Sequence, residues 1–196
     1  MHAIQKPSLT KAISLNGIFV EVGTWEGNFA YELLNQTECS KLYCVDPYKH
    51  FDDSIYPDAI NSLTQEQFND KYDAVCRRFS EFGDRVEFIR KTSNDAVLQF
   101  KDESLDFVYI DGNHEFQSVL LDILLWYPKV KKGGYLCGDD VYSTDLNEHD
   151  ADGNIMRGDY PVCWGKYGTY TAVVKAKKIL NYEFTIEQTQ FIIQKK

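Results

Sequence analysis

Short, nearly unbroken apolar runs alternate along the chain with stretches whose apolar residues recur every three or four positions. The first pattern suits strands buried on both faces, and the second suits helices that cover them. "GIFVEVG" (17–23) predicts a first strand, and residues 27–36 a short helix. "KLYCVDP" (41–47) predicts a second strand, stopped by Pro47, and residues 47–63 read as a polar loop. Phe68, Tyr72, Val75, Cys76 and Phe79 share one helical face, so the spacing predicts a helix over 64–82. Thr64 with Gln67 forms a capping-box pattern at its start, and Gly83 follows its end.

"RVEFIRK" (85–91) predicts a third strand, followed by a brief helix over 94–100. "LDFVYIDG" (105–112) predicts a fourth. Residues 115–127 place Phe116, Val119, Leu120, Ile123, Leu124 and Tyr127 on one helical face, ended by Pro128. "KKGG" (131–134) reads as a turn into a fifth strand, "YLCGDD" (135–140). An irregular stretch over 141–165 and a helix over 167–179 follow. "YEFTIEQ" and "TQFIIQKK" close the sequence as an antiparallel pair.

Strand–helix alternation implies parallel strands joined by right-handed crossovers. The expected fold is therefore α/β: a Rossmann-like, doubly wound, mostly parallel seven-stranded sheet with an antiparallel C-terminal strand pair. No linker, repeat or low-complexity tract divides residues 1–196, which are expected to form one domain. In such sheets a ligand sits beyond the carboxyl ends of the strands, so chemistry is sought there.

After the first strand, Glu21, Gly23, Thr24 and Gly27 surround a bare turn that opens a helix. Gly23 permits a sharp turn, and Gly27 permits a ligand or helix to approach closely. The helix start offers free N–H groups to an anion. After the second strand, Asp46 stands where a carboxylate can accept hydrogen bonds from ribose hydroxyls. After the third, Ser93, Asn94 and Asp95 stand where an adenine edge would be reached, or cap a helix.

After the fourth strand comes "IDGNH", with Asp111 and His114; after the fifth comes "GDD", with Asp139 and Asp140. Neighbouring strand ends would crowd three carboxylates together and raise their pKa values. A hard divalent cation relieves that crowding, and an all-oxygen set of Asp111, Asp139 and Asp140 suits Mg²⁺, Mn²⁺ or Ca²⁺. His114 is the histidine beside this group and a candidate general base. "HDADGN" (149–154) has its glycine too early for an EF-hand and reads as a turn.

Net charge narrows the partners. The chain carries −9 at neutral pH, and its longest basic runs are Lys131-Lys132 and Lys195-Lys196. Nucleic acid, which is held by clustered Lys and Arg, is disfavoured as a substrate. Five cysteines without CxxC spacing read as reduced thiols. The N-terminus lacks an apolar signal stretch and no run is long enough to span a membrane, so a cytoplasmic location without membrane attachment is expected.

"VEVGTWEGNFA", "LYCVDPY" and "DFVYIDGNHEFQSVLLDILLWYPKVKKGGYLCGDDVY" together resemble the class I S-adenosylmethionine-dependent methyltransferases, within them the macrocin-type sugar O-methyltransferase group. The resemblance runs from Gly17 to Tyr142. It implies that Glu21, Gly23, Thr24 and Gly27 cradle the methionine part of the cofactor. It also implies that Asp46 holds the ribose, that Pro47 or Tyr48 lies beside the adenine, and that Asp111 touches cofactor and metal. Asp139 and Asp140 complete the metal set, and His114 is the base. Trp25 stands where the family more often has glycine, and Asn113 where relatives often have an acid.

The implied activity is O-methyl transfer to a hydroxyl of a sugar or small hydroxylated metabolite, assisted by Mg²⁺, by an enzyme whose relatives are commonly homodimers. The segment 141–165 would select the acceptor. Two rivals share parts of the pattern. A nicotinamide-dependent oxidoreductase would need G-x-G-x-x-G after the first strand, which is absent. A cofactor-binding subunit without catalysis would have less reason to keep all three aspartates.

Overall fold

A computed structural model describes residues 6–52, 59–141, 161–162, 165–166 and 168–196. Helix α1 (Pro7–Ile13) leads into β1 (Asn16–Val22), α2 (Asn28–Gln36) and β2 (Glu38–Val45). Next come α3 (Gln65–Arg78), β3 (Val86–Ile89), α4 (Ser93–Ala96), β4 (Leu105–Ile110) and α5 (Phe116–Trp126). The chain continues through β5 (Val130–Gly138), the small hairpin β6 (Pro161–Val162) with β7 (Gly165–Lys166), and α6 (Thr169–Leu180). It ends with β8 (Phe184–Glu187) and β9 (Gln190–Gln194).

The main sheet has seven strands in the order β3-β2-β1-β4-β5-β9-β8. β1 to β5 pair in parallel, and β9 joins β5 and β8 antiparallel. This is the architecture the alternating pattern predicts. Successive strand residues point into two separate cores, as a period of two requires. Phe19, Leu42, Phe107 and Ile192 face α1, α2 and α3, whereas Val20, Val108, Leu136 and Ile193 face α4, α5 and α6. The capping box at Thr64 forms: its side chain accepts from Gln67 N, and Gln67 answers to the Thr64 N–H.

Two local readings are corrected. "KKGG" is no turn before β5 but part of it, because β5 already pairs at Leu105↔Val130 and resumes at Phe107↔Tyr135. The extra residues bulge outward with Gly133 at φ +81°, and Lys131 reaches back to the Asp106 carboxylate at 2.8 Å. Helix α1 lies where the hydrophobic pattern predicts no element. Its signals were Pro7 at the first helical turn and the inward pair Leu9 and Ala12. That short helix matters because its N-cap residue, Lys6, enters the strand-end site.

Most of the expected acceptor-selecting segment, including "HDADGN", lies outside the described residues. Cys39, Cys44, Cys76 and Cys137 are free thiols, the first two and the last buried. Among the described residues no helix is long and apolar enough to cross a membrane.

Candidate active site

The turn after β1 is bare because a neighbouring strand needs the room. Gly23 has φ +88°, and a Cβ there would lie 2.1 Å from the Asp111 carbonyl oxygen. β1 and β4 thus converge to backbone contact just where the site begins. Gly27, at φ +73°, caps α2, and its space is filled by the Phe79 ring.

Glu21 is 2% exposed. Burial, then the nearby Asp111 charge, pushes its carboxyl up to about 8. The Thr24 hydroxyl is close enough to ease that shift, yet neither it nor Glu21 Oε2 completes a hydrogen bond. Two orphaned polar atoms beneath a bare turn suit a cationic, hydrogen-bonding ligand.

At the end of β2, Asp46 accepts from Trp25 N at 2.9 Å and Tyr48 N at 2.8 Å, one bond on each oxygen. These bonds hold both turns in place, with Trp25 and Tyr48 at positive φ. Burial raises the Asp46 pKa against those bonds and the Arg90 charge. Each oxygen keeps a lone pair, so Asp46 can still accept from a diol. Tyr48 is 1% exposed and donates to the Trp25 carbonyl; it braces the turn and leaves Pro47 beside the opening.

A cavity of about 360 Å³ opens there. Its lining includes Gly23, Asp46, Pro47, Ser93, Asn94, Asp111, Gly112, Ser118, Leu121 and Asp122. Thr92 caps α4 through Asp95 N. Ser93 is committed elsewhere: its hydroxyl accepts from Trp126 Nε1 at 2.8 Å and donates to Asp122 Oδ1.

The β4 and β5 ends supply the acids. Asp111, His114 and Asp140 offer ligand atoms all within 4.8 Å of one another. His114 Nε2 lies 3.2 Å from Asp140 Oδ2 and 3.8 Å from Asp111 Oδ1. Asp111 is pushed up to about 7 by burial; Lys6 opposes the shift, and Asp139 and Asp140 add to it.

Asp139 is turned away from this trio. It accepts from Tyr109 at 2.8 Å, Thr189 at 2.7 Å and the Asp140 N–H at 2.9 Å, and pairs with Lys6 at 3.1 Å. Burial alone would raise its pKa, but Lys6 and these hydrogen bonds hold it at about 2. The three expected acids therefore divide: Asp111 and Asp140 stand together with His114, and Asp139 anchors the N-terminal segment.

Sequence reasoning missed two residues here. Lys6 sits 4.0 Å from Asp111 and over the faces of Phe29 and Tyr109, at 4.9 and 5.3 Å. No local motif marks it. Asp122 is an acid among the apolar residues of α5, 6% exposed. Burial lifts its pKa to about 7, with only Ser93 opposing. An acid interrupting an amphipathic helix beside its apolar face was the available signal.

Residues 20–141 match the family model described as "Methyltransferase domain". A curated relative, the uncharacterized protein R132 of Acanthamoeba polyphaga mimivirus, is 29% identical over 126 residues, 62% of this chain and 50% of its own. The chain thus spans about half the length of the curated relative it matches. Two solved structures share the fold at low identity. The O-methyltransferase NovP superposes with a TM-score of 0.61 at 17% identity, covering 96% of this chain and 76% of that one. A Streptococcus mutans protein described as a methyltransferase in complex with SAH gives 0.58 at 14%, covering 97% of each chain.

The sheet order is that of the class I S-adenosylmethionine-dependent methyltransferase fold. The chain belongs to the methyltransferase-domain family.

Proposed function

We propose that this methyltransferase transfers a methyl group from S-adenosylmethionine to a hydroxyl oxygen of a small hydroxylated metabolite, a sugar being the leading candidate. The observation that carries this reading is the His114–Asp140 pair, 3.2 Å apart, next to Asp111, which lines the cavity. A carboxylate beside an imidazole orients the ring and favours its protonated form, which suits it to take a hydroxyl proton.

The cofactor, when bound, supplies a methyl group already activated on a sulfonium sulfur. The remaining work falls to the chain. Asp46 would accept from the ribose hydroxyls with the lone pairs its turn bonds leave free. Glu21 and Thr24, with their orphaned atoms, would meet the positive end of the methionine portion. His114 would remove the acceptor proton as the new oxygen–carbon bond forms. The net charge of −9 disfavours nucleic acid as acceptor.

A second reading uses the same residues differently. Two carboxylates and an imidazole with ligand atoms within 4.8 Å could hold a divalent cation, and this mixed donor set suits Mn²⁺ better than Mg²⁺. His114 would then be a ligand, and the acceptor oxygen would be activated by the ion.

Calorimetry with S-adenosylhomocysteine, then methyl-transfer assays over hydroxylated acceptors with and without EDTA, tests both. Cofactor binding, EDTA-insensitive turnover and a loss of about 10²–10⁴ in kcat for His114→Ala support the base reading. Turnover abolished by EDTA and restored by Mn²⁺ selects the metal reading. Failure to bind S-adenosylhomocysteine would sink both.

A further inference from the structure

Five donors converge on the two oxygens of Asp139. Oδ2 accepts from Lys6 Nζ at 3.1 Å, Tyr109 Oη at 2.8 Å and Gln190 Nε2 at 3.3 Å. Oδ1 accepts from Thr189 Oγ1 at 2.7 Å and the Asp140 N–H at 2.9 Å. A carboxylate offers about four lone-pair sites, so Asp139 has none left for an ion. The three-aspartate set that the strand ends suggest is therefore not assembled, and among the groups that hold Asp139 is a cation.

Lys6 is delivered to this place by the structure around it. Ser8, two residues on and fully buried, donates from its N–H and its hydroxyl to Gln190 Oε1, at 3.0 and 2.8 Å. Gln190 Nε2 donates to Tyr109 Oη at 2.6 Å. Helix α1 is thereby tied to β4 and β9, and its N-cap residue cannot swing away without breaking buried hydrogen bonds. The rings of Phe29 and Tyr109 flank the ammonium at 4.9 and 5.3 Å, and such faces favour a cation. From there Nζ lies 4.0 Å from Asp111 Oδ2, close enough to offset its charge and too far to hydrogen-bond.

We infer that the Lys6 ammonium is a tethered counter-cation: it takes the part that a divalent ion plays among clustered carboxylates, neutralising Asp139 by contact and Asp111 across 4.0 Å. Lys6 is a positioning residue that sets the ion affinity of the site. A positive charge fixed beside Asp111 opposes the entry of a second cation among Asp111, His114 and Asp140. The inference goes beyond the choice of cofactor and acceptor, and it weighs for His114 as a base over His114 as a ligand.

The test is a Mn²⁺ titration of the cofactor-free chain, read by calorimetry and by electron paramagnetic resonance of the free ion. Three chains are compared: the wild type; Lys6→Met, which keeps an apolar stem against Phe29 and Tyr109; and Lys6→Arg, which keeps the charge. Lys6→Met should bind Mn²⁺ about tenfold tighter than the wild type, or better, and Mn²⁺ should raise its Tm. Lys6→Arg should bind it as weakly as the wild type does. A purely structural role for Lys6 would give no such gain.

Equal affinity in the wild type and Lys6→Met, whether both bind the ion or neither does, overturns the inference. If Lys6→Met does not fold, Lys6→Gln serves in its place, because it removes the charge and can still donate to Asp139. Binding of S-adenosylhomocysteine to the same chains is measured separately. Its absence in the wild type would remove the methyltransferase reading and leave the counter-cation to be judged on the Mn²⁺ result.

Discussion

Lys6 Nζ lies 3.1 Å from Asp139 Oδ2, joining the N-cap of the first helix to the end of the fifth strand. Asp139 is mostly buried and its pKa is held at about 2, so the pair contributes stability that is complete above the unfolded value near 3.9. That contribution is lost as pH falls through the folded value. Lys6 is 35% exposed at its side chain, which screens the pair. Lys6→Met should cost about 1 kcal/mol at pH 7. Urea melts should show the cost shrinking between about pH 4 and pH 2. An undiminished cost at low pH would mean that Lys6 acts through packing on Phe29 and Tyr109.

Asp139 and Asp140 are adjacent in sequence but opposed in role. Asp139 is saturated by Tyr109, Thr189, a backbone N–H and Lys6, whereas Asp140 faces His114. Asp139→Asn should lower Tm while preserving most of kcat in the folded fraction. Asp140→Asn should leave Tm nearly unchanged and lower kcat about tenfold or more, since it removes the charge 3.2 Å from His114 Nε2. Equal loss of kcat in both variants, with Tm unchanged, would restore Asp139 to the reacting group.

Asp122 should make stability depend on pH in the opposite sense to Asp139. Its folded pKa is raised to about 7 by burial, so the native state holds a proton that the unfolded chain releases near 3.9. Its contribution is complete below that lower value and fades as pH rises toward 7. Asp122→Asn, which does not ionise, should flatten this fall by on the order of 1–3 kcal/mol in ligand-free protein. Denaturant melts of both proteins from pH 4 to pH 8 measure it, and parallel curves would refute the assignment. Glu21 and Asp111, raised to about 8 and about 7, push the same way in both proteins and cancel in the comparison.

Gly23 and Gly83 separate close approach from backbone strain. At Gly83, with φ +52°, a Cβ would meet nothing within 4 Å, so Gly83→Ala should cost about 1–3 kcal/mol of strain. At Gly23 the added atom would collide with the Asp111 carbonyl at 2.1 Å as well. Gly23→Ala should therefore cost at least about 4 kcal/mol and push β1 and β4 apart. Thermal melts of the two variants with similar Tm would show that the turn adapts.

The alternation of apolar runs fixed element types and the sheet class because strand and helix periods are local properties of the chain. Strand ends follow from strand positions, so Asp46, Asp111, Asp139 and Asp140 were legible as strand-end acids. "KKGG" misled because glycines mark a bulge as readily as a turn. The seven residues of helix α1 carry too short a period to stand out from the pattern.

Local patterning along the chain carries the layered sheet, the strand ends where the site lies and the residue types gathered there. Packing sets which of them face one another: Asp140 meets His114 while Asp139 meets Lys6, and Ser93 donates its hydroxyl proton to Asp122. The reason is physical. Which oxygen meets which donor depends on contacts between residues as far apart as Lys6 and Asp139, set by how strands β1, β4 and β5 and helices α1, α4 and α5 pack, and no local pattern carries that information.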